Sequence, residues 1–335
     1  MKLYQNSGYV NIAGILSLDI PFNFVVGGRG TGKTYASLDY VVENDIKFMF
    51  MRRTQAQADL INKPEFTPFK ALCRDKNIDI ITKPLTKYNA GFYMDDENTP
   101  IGYTAALSTI SNIRGFDASD VELLIYDEFI PERHERPIKN EGAAFLNAYE
   151  TINRNRELKG EKPLQVLCLA NANDISNPIF MELGLVSKAE KMMRTGKEIS
   201  VDHNRGIAIF MLNASPVSSL KSKTALYKLT SGSEFEKMSI YNDFADVDYS
   251  NIVKRPLIEY IPIVEVGEIC IYRHKNSNKL YVAQHTVGSP PKYSSGENDL
   301  NRYARKYSWI WLEYLANNIE FESVISEKLL TKYHK

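Results

Sequence analysis

Eight consecutive residues carry the strongest chemistry in this 335-residue chain: Gly27-Gly28-Arg29-Gly30-Thr31-Gly32-Lys33-Thr34. They satisfy G-x-x-x-x-G-K-[ST] at every fixed position, and the chemistry of that pattern is phosphate binding. Glycines let the backbone curl until several N–H groups face one phosphate chain. Lys33 would reach the β and γ phosphates, and the Thr34 hydroxyl would ligate Mg²⁺. Such a site needs acids at the tip of another strand. Leu123-Leu124-Ile125-Tyr126-Asp127-Glu128 supplies them. Asp127 would hold Mg²⁺ through its outer shell, and Glu128 would polarise an attacking water as general base. The adjacent pair favours water over a second substrate as acceptor. A third strand, Val166 to Ala170, ends in Asn171. Asn171 could sense the γ phosphate or the attacking water, or be an ordinary loop asparagine.

Arginines are the remaining candidates. Asn153-Arg154-Asn155-Arg156-Glu157 closes a predicted helix. Two readings of Arg154 stay open on spacing alone. One is compensation of the helix dipole. The other is a planar cation offered to a neighbouring subunit's γ phosphate. Arg114 precedes the loop into the Asp127 strand, Arg29 lies inside the phosphate loop, and Arg52 and Arg53 follow a strand. The last two could reach DNA, nucleotide or a neighbour.

The elements that must position these residues alternate. Phe22 to Val26, Phe48 to Met51, Leu123 to Tyr126, Val166 to Ala170 and Gly206 to Leu212 read as short apolar strands. Thr31 to Glu43, Gln55 to Leu60 and Glu141 to Glu157 read as helices between them. Short, wholly apolar strands separated by helices predict an α/β core, a parallel sheet covered on both faces. Gly91 to Thr104 reads as an inserted hairpin. From Ser215 to Ser250 serines, lysines and acids dominate, which marks a linker or small subdomain. Beyond it, Tyr260 to Val266, Glu268 to Arg273 and Lys279 to Thr286 read as strands, and Asn301 to Asn317 and Ser323 to Lys332 as helices. The predicted domains are therefore 1–215, 216–245 and 246–335.

Composition bounds the function. The chain is 44% hydrophobic and 24% charged, as in a soluble globular protein, and has no apolar run of membrane-spanning length. Met1 to Ile20 lacks a basic start and a compact apolar core, so no signal peptide is expected. Lys and Arg total 41 against 41 Asp and Glu, so any grip on nucleic acid must be local or transient. Cys73, Cys168 and Cys270 lie far apart and form no C-x-x-C pair. That suits a reducing compartment and gives no structural zinc site. Nucleotide-bound Mg²⁺ is the only metal assigned.

Taken together, these residues resemble the DNA-packaging ATPases of small tailed phages of the phi29 type. The matching stretches are the phosphate loop, Phe48 to Arg53, Ile125-Tyr126-Asp127-Glu128-Phe129-Ile130, Arg154-Asn155-Arg156-Glu157, Cys168 to Ala172, and Glu234 to Ser239. They cover roughly positions 18 to 245. The resemblance implies an additional-strand P-loop core and ATP-driven translocation of double-stranded DNA into a preformed capsid. It implies a homomeric ring, pentameric by resemblance, on the capsid portal, with a structural RNA as partner in some members. The location would be the host cytoplasm, at the portal vertex of the procapsid. It puts the arginine acting in trans on Arg154 and a second basic residue acting in trans on Arg114, where the family has lysine. It makes the tail an RNase H-like domain without a nuclease centre. The residues agree with that last point. From Asn251 to Lys335 there is one aspartate, Asp299, and only Glu265 and Glu268 fall near central strands. Two-metal nuclease chemistry needs several gathered carboxylates.

DNA contacts are less specific. Lys188, Lys191, Arg194 and Lys197, and then Lys221, Lys223 and Lys228, are candidate phosphate contacts or plain solvated surface. Trp309, Trp311, Tyr303, Tyr307 and Tyr314 read as core packing rather than base stacking. The leading expectation is a DNA-translocating ATPase. Another nucleic-acid remodeller, a small-molecule kinase and a nucleotide-gated assembly protein are the alternatives.

Overall fold

A computed structural model gives the fold and describes residues 1–95, 98–113, 115–132, 135–136, 138–213, 215–233, 236, 239 and 249–334. Arg114 and most of the Glu234 to Ser239 stretch lie outside the described residues. The chain divides into two compact units, Met1–Leu183 with Lys188–Ala245, and Gly184–Ser187 with Asp246–Lys335.

The first unit is built on β1 (Phe22–Gly27), β2 (Phe48–Arg52), β3 (Ile80–Pro84), β4 (Ala90–Met94), β5 (Gly102–Ala106), β6 (Leu123–Asp127), β7 (Gln165–Ala170), β8 (Ile199–Asp202) and β9 (Ile207–Leu212). Among the described residues they form one sheet in the order β3-β4-β5-β2-β6-β7-β1-β9-β8. The six strands from β5 to β9 in that order are parallel. The edge pairs are antiparallel. β7 thus lies between β1, which leads into the phosphate loop, and β6, which ends at Asp127.

Helices cover both faces: α1 (Ile12–Leu16), α2 (Lys33–Glu43), α3 (Gln55–Ile61) and α4 (Lys70–Lys76) contribute to one, and α5 (Glu141–Asn153) and α6 (Pro178–Glu182) to the other; α7 (Val186–Thr195), whose first two residues belong to the second unit, α8 (Pro216–Lys221) and α9 (Ala225–Leu229) follow. Strand alternation explains the two cores. Val25, Phe50, Ile125 and Leu167 face one way and pack with Ile15, Leu38 and Val41 of α1 and α2. Phe24 and Tyr126 face the other way. Phe24 meets Phe180 of α6 edge-on at 5.5 Å, and Tyr126 stacks on Phe145 of α5 at 5.9 Å. All five residues of β6 are buried, so its tip is held rigidly.

Three readings change here. The expected inserted hairpin exists as Phe92 paired with Gly102, but β5 also pairs with β2 and so belongs to the main sheet. β3 escapes a pattern search because it is an edge strand with a mostly exposed, Pro-terminated pattern. The helix expected to Glu157 stops at Asn153, because Arg154 and Asn155 both turn to positive φ (45° and 60°).

The second unit holds β10 (Tyr260–Val266), β11 (Ile269–His274), β12 (Leu280–Ala283), β13 (Lys292–Tyr293) and β14 (Ile319–Phe321). It also holds α10 (Glu297–Lys306), α11 (Ser308–Leu315) and α12 (Val324–Tyr333). The sheet order is β13-β10-β11-β12-β14. β10, β11 and β12 are antiparallel neighbours, and β13 and β14 add in parallel at the two edges. The single helix expected from Asn301 to Asn317 is two, broken where Tyr307 packs on Tyr293 and Tyr303 and leaves helical geometry. No described helix is long and apolar enough to cross a membrane.

Candidate functional site

β1 ends at Gly27, and α2 begins at Lys33, so the intervening loop must reverse within five residues. Gly30 and Gly32 make this possible at φ +76° and +74°, where a side chain is strained. Gly32 is the N-cap of α2 and gives it no side-chain cap. The first N–H groups of α2 are therefore free of side-chain competition for an anion. A Cβ on Gly32 would also lie 2.6 Å from Cδ1 of Tyr9, so the N-terminal segment packs onto the loop. That segment holds the loop a second time, through Val10 N–H donating to the Thr31 carbonyl (3.0 Å).

Lys33 lies beneath the loop. Its ammonium donates to the carbonyls of Gly27 (2.8 Å) and Gly28 (2.9 Å), and to Asn171 Oδ1 (3.2 Å). Burial pushes this ammonium down to about 7, opposed by Asp127 and Glu128 and reinforced by Lys221 and Arg29. A polyphosphate beside it would restore the charge. The Thr34 hydroxyl meets both oxygens of Asp127 at 3.1 Å. A hydroxyl backed by a carboxylate is a hard oxygen donor set, suited to Mg²⁺.

Glu128 follows the buried tip of β6 with φ +57°, a strained conformation for a residue with a side chain. The turn swings its carboxylate off the strand axis and leaves 56% of the side chain exposed. Desolvation raises its pKa, Arg52 opposes this, and Asp127, Glu132 and Glu135 add to it. Arg52, at the end of β2, grips both acids. It pairs with Asp127 Oδ2 at 3.2 Å and with Glu128 Oε2. Its contact with Glu128 is the chemistry that sequence reading left unassigned. The signal was there in outline, since β2 and β6 both end at this edge once they are known to be neighbours.

Arg53 behaves differently. It is fully buried, forked onto Glu141 of α5 (2.6 and 2.9 Å), and bound to Glu135 at 2.9 Å. It therefore anchors the start of α5 and cannot reach DNA or a neighbour. Arg29 pairs with Glu132 at 2.5 Å.

The walls of the site are Arg29, Lys33, Thr34, Asp127, Glu128 and Asn171, with Gly30, Gly32, Tyr35, Glu132 and Ala170, around a cavity of about 350 Å³. Gly27, Gly28 and Thr31, expected from sequence to bind nucleotide, are not among those walls: the Gly27 and Gly28 carbonyls accept from Lys33, and the Thr31 hydroxyl donates to the Gly28 carbonyl (3.1 Å). Arg154 is elsewhere. Its guanidinium meets the Phe116 carbonyl (2.5 Å) and Asp117 (3.2 Å), and Arg156 donates to the Ser119 (3.0 Å) and Val121 carbonyls. These partners precede β6, whose far end holds Asp127. A strand of that length spans about 17 Å, so Arg154 lies at the end of the sheet opposite the phosphate loop of its own chain.

The basic surface candidates are also redistributed. Lys188 pairs with Asp202 (3.5 Å) and Arg194 with Glu190 (3.9 Å). Lys221, expected as a DNA contact or surface residue, turns inward and donates to the Arg29 carbonyl.

Comparison with known proteins places this geometry. The family model of the podovirus DNA encapsidation protein (Gp16) matches residues 4–287. The DNA packaging protein of Bacillus phage B103 is 30% identical over 246 residues, covering 72% of this chain and 70% of its own. That of Bacillus phage phi29 is 29% identical over 256 residues, covering 75% and 70%. Among solved structures, the bacteriophage phi29 viral genome packaging motor assembly matches with a TM-score of 0.71 over 100% of both chains at 22% identity, a likeness of fold.

Proposed function

Because this chain belongs to the podovirus DNA encapsidation protein (Gp16) family, the phi29-type packaging ATPases, we propose that it is a motor that hydrolyses ATP to translocate double-stranded DNA into a preformed capsid. The observation that carries the reading is the cavity at the β1 loop. There Lys33, Thr34, Asp127, Glu128 and Asn171 converge from three neighbouring strand tips. The strand β7 between β1 and β6 supports the additional-strand class of P-loop core.

The residues divide the work. The loop N–H groups and the N-terminus of α2 would hold the phosphates, and Lys33 would balance charge on the β and γ oxygens. Thr34, backed by Asp127, would hold Mg²⁺, which when bound neutralises charge on the phosphate oxygens. Glu128 would take the proton of the attacking water, and its raised pKa suits a base that must also release that proton. Asn171, already on the Lys33 ammonium, would report the state of the γ phosphate. Arg154, remote from its own loop, would act on the nucleotide of the adjacent subunit in a ring, pentameric by resemblance.

The same proposal assigns 1–215 to the ATPase domain, 216–245 to a linker and 246–335 to a nuclease-like domain without catalysis. Three antiparallel strands followed by a parallel fourth beside the first support an RNase H-like ancestry. β14 departs from it, since it joins β12 at the opposite edge. Glu265, the acid on β10, pairs with Lys292 at 3.1 Å. The portal vertex of the procapsid, in the host cytoplasm, is the proposed place of action.

Steady-state ATP hydrolysis, with and without double-stranded DNA and across protein concentration, tests the reading. Stimulation by DNA with a steep concentration dependence is expected. Hydrolysis linear in protein and indifferent to DNA would point to a self-contained enzyme and overturn it.

A further inference from the structure

The lysine from the predicted linker, Lys221, has no part in the functional reading above, yet it touches the phosphate loop. It is the last residue of α8, whose start is set by Pro216 and by Ser215 Oγ accepting from Val217 N–H at 3.2 Å. The ammonium donates to the Arg29 carbonyl, 192 positions away. The side chain crosses Gly30 closely enough that a Cβ there would lie 2.5 Å from Lys221 Cε. Its ammonium also lies 5.8 Å from the centre of the Tyr227 ring on α9. Lys221 thus joins the loop to both helices of the α8–α9 segment.

The contact acts on the peptide between Arg29 and Gly30. In a trans peptide the carbonyl and the next N–H point in opposite directions. Holding the Arg29 carbonyl on Lys221 therefore turns the Gly30 N–H away from α8, and Gly30 is a wall of the cavity. Three cations, Lys33, Lys221 and Arg29, crowd one short loop. Burial and then Arg29 lower the pKa of Lys221, and Lys221 in turn helps to lower that of Lys33. An extra phosphate relieves that repulsion more than a shorter nucleotide does.

We propose that Lys221 is a positioning residue of the phosphate loop, which favours a nucleotide bearing a γ phosphate and ties the identity of that nucleotide to the placement of the α8–α9 segment. The proposal rests on the reading of the loop as an ATP site. Linkage makes the effect reciprocal: whatever nucleotide does to the Lys221 contact, the contact does to nucleotide affinity.

The test uses the full chain and measures the affinity of a non-hydrolysable ATP analogue and of ADP, both with Mg²⁺, in Lys221→Met, Lys221→Arg and Lys33→Ala. Losing one charge-assisted contact should weaken the analogue about tenfold in Lys221→Met and ADP by less than about twofold. Lys221→Arg should return the ratio of the two affinities to within about threefold of the parent. Limited proteolysis between Ser222 and Ser233 should be slowed by the analogue in the parent and not in Lys221→Met. Lys221→Gln serves as the neutral variant if the methionine chain melts early. Equal losses for both nucleotides, no loss at all, or failure of the arginine to restore the ratio would each overturn the role. A Lys33→Ala chain that still binds the analogue at parental strength would overturn the ATP-site reading itself, and this proposal with it.

Discussion

Replacing Arg52 should move the pH dependence of ATP hydrolysis rather than simply lower it. Arg52 places one guanidinium across two neighbouring carboxylates, with Asp127 at 3.2 Å and Glu128 in direct contact. Two unit charges about 4 Å apart interact by about 4 kcal/mol at the effective dielectric of a protein surface. Glu128 keeps 56% of its side chain in solvent, so most of this is screened, and about 1.4 kcal/mol, or one pKa unit, is the expected effect. The sign follows from charge. Arg52 stabilises the Glu128 anion, so its loss raises a pKa that desolvation already raises. A general base works deprotonated, so activity climbs as pH rises through this pKa. The acid limb of kcat/KM for DNA-stimulated hydrolysis should therefore shift upward by about one pH unit in Arg52→Met, with about a tenfold deficit at low pH and little deficit on the plateau. Arg52→Lys, which keeps the charge, should shift it less. An unmoved acid limb, or a uniform loss at every pH, would refute either the base assignment or the electrostatic account of Arg52.

Other consequences follow from the same geometry. Lys33, pushed down to about 7, is about one-tenth protonated at pH 8, so binding of a non-hydrolysable ATP analogue there should take up about 0.9 proton and at pH 6 about 0.1. Calorimetric titration in buffers of different ionisation enthalpy reads this directly, and Lys33→Gln should abolish the difference. Arg53→Met strands the buried Glu141 carboxylate and should cost about 3–5 kcal/mol in urea unfolding, whereas adding Glu141→Gln should recover more than half of it. Glu128→Gln should leave nucleotide affinity near the parental value while turnover falls by about 10²–10⁴-fold. Mixing Lys33→Ala and Arg154→Ala chains should regain part of the lost hydrolysis if Arg154 serves a neighbour's site. Normal ring assembly without any regain would remove Arg154 from that role.

Much of this was legible along the chain because it depends on local chemistry. A phosphate loop is a run of residues whose backbone freedom, lysine and hydroxyl must be contiguous, so Gly27 to Thr34 announces itself. The strand tips at Asp127 and Asn171 are legible for a related reason, since fully buried parallel strands are short apolar runs, and a polar residue at their end marks the exposed edge of the sheet. Strand order is another matter. Nothing in the residues of β7 says that it lies between β1 and β6, because parallel neighbours are joined by long crossovers and pairing leaves no local mark.

The pairings that cross that order were therefore decided by tertiary structure alone. Arg52 and Arg53 are adjacent in sequence, and sequence alone offers them the same roles. On opposite faces of the chain at the end of β2, one grips Asp127 and Glu128 and the other is buried on Glu141, 88 positions away. Along the chain Lys221 reads, with Lys223 and Lys228, as a DNA contact or solvated surface, yet the placement of α8 directs it onto a loop carbonyl. The end of α5 is likewise a tertiary matter in part: left-handed turns at Arg154 and Asn155 stop the helix, and the arginines on either side of Asn155, Arg154 and Arg156, meet residues 116–121, remote in sequence. Backbone chemistry within one short run marks the proposed phosphate site. The packing of the sheet determined which charges stand around it, because charge interactions depend on distance through space and not along the chain.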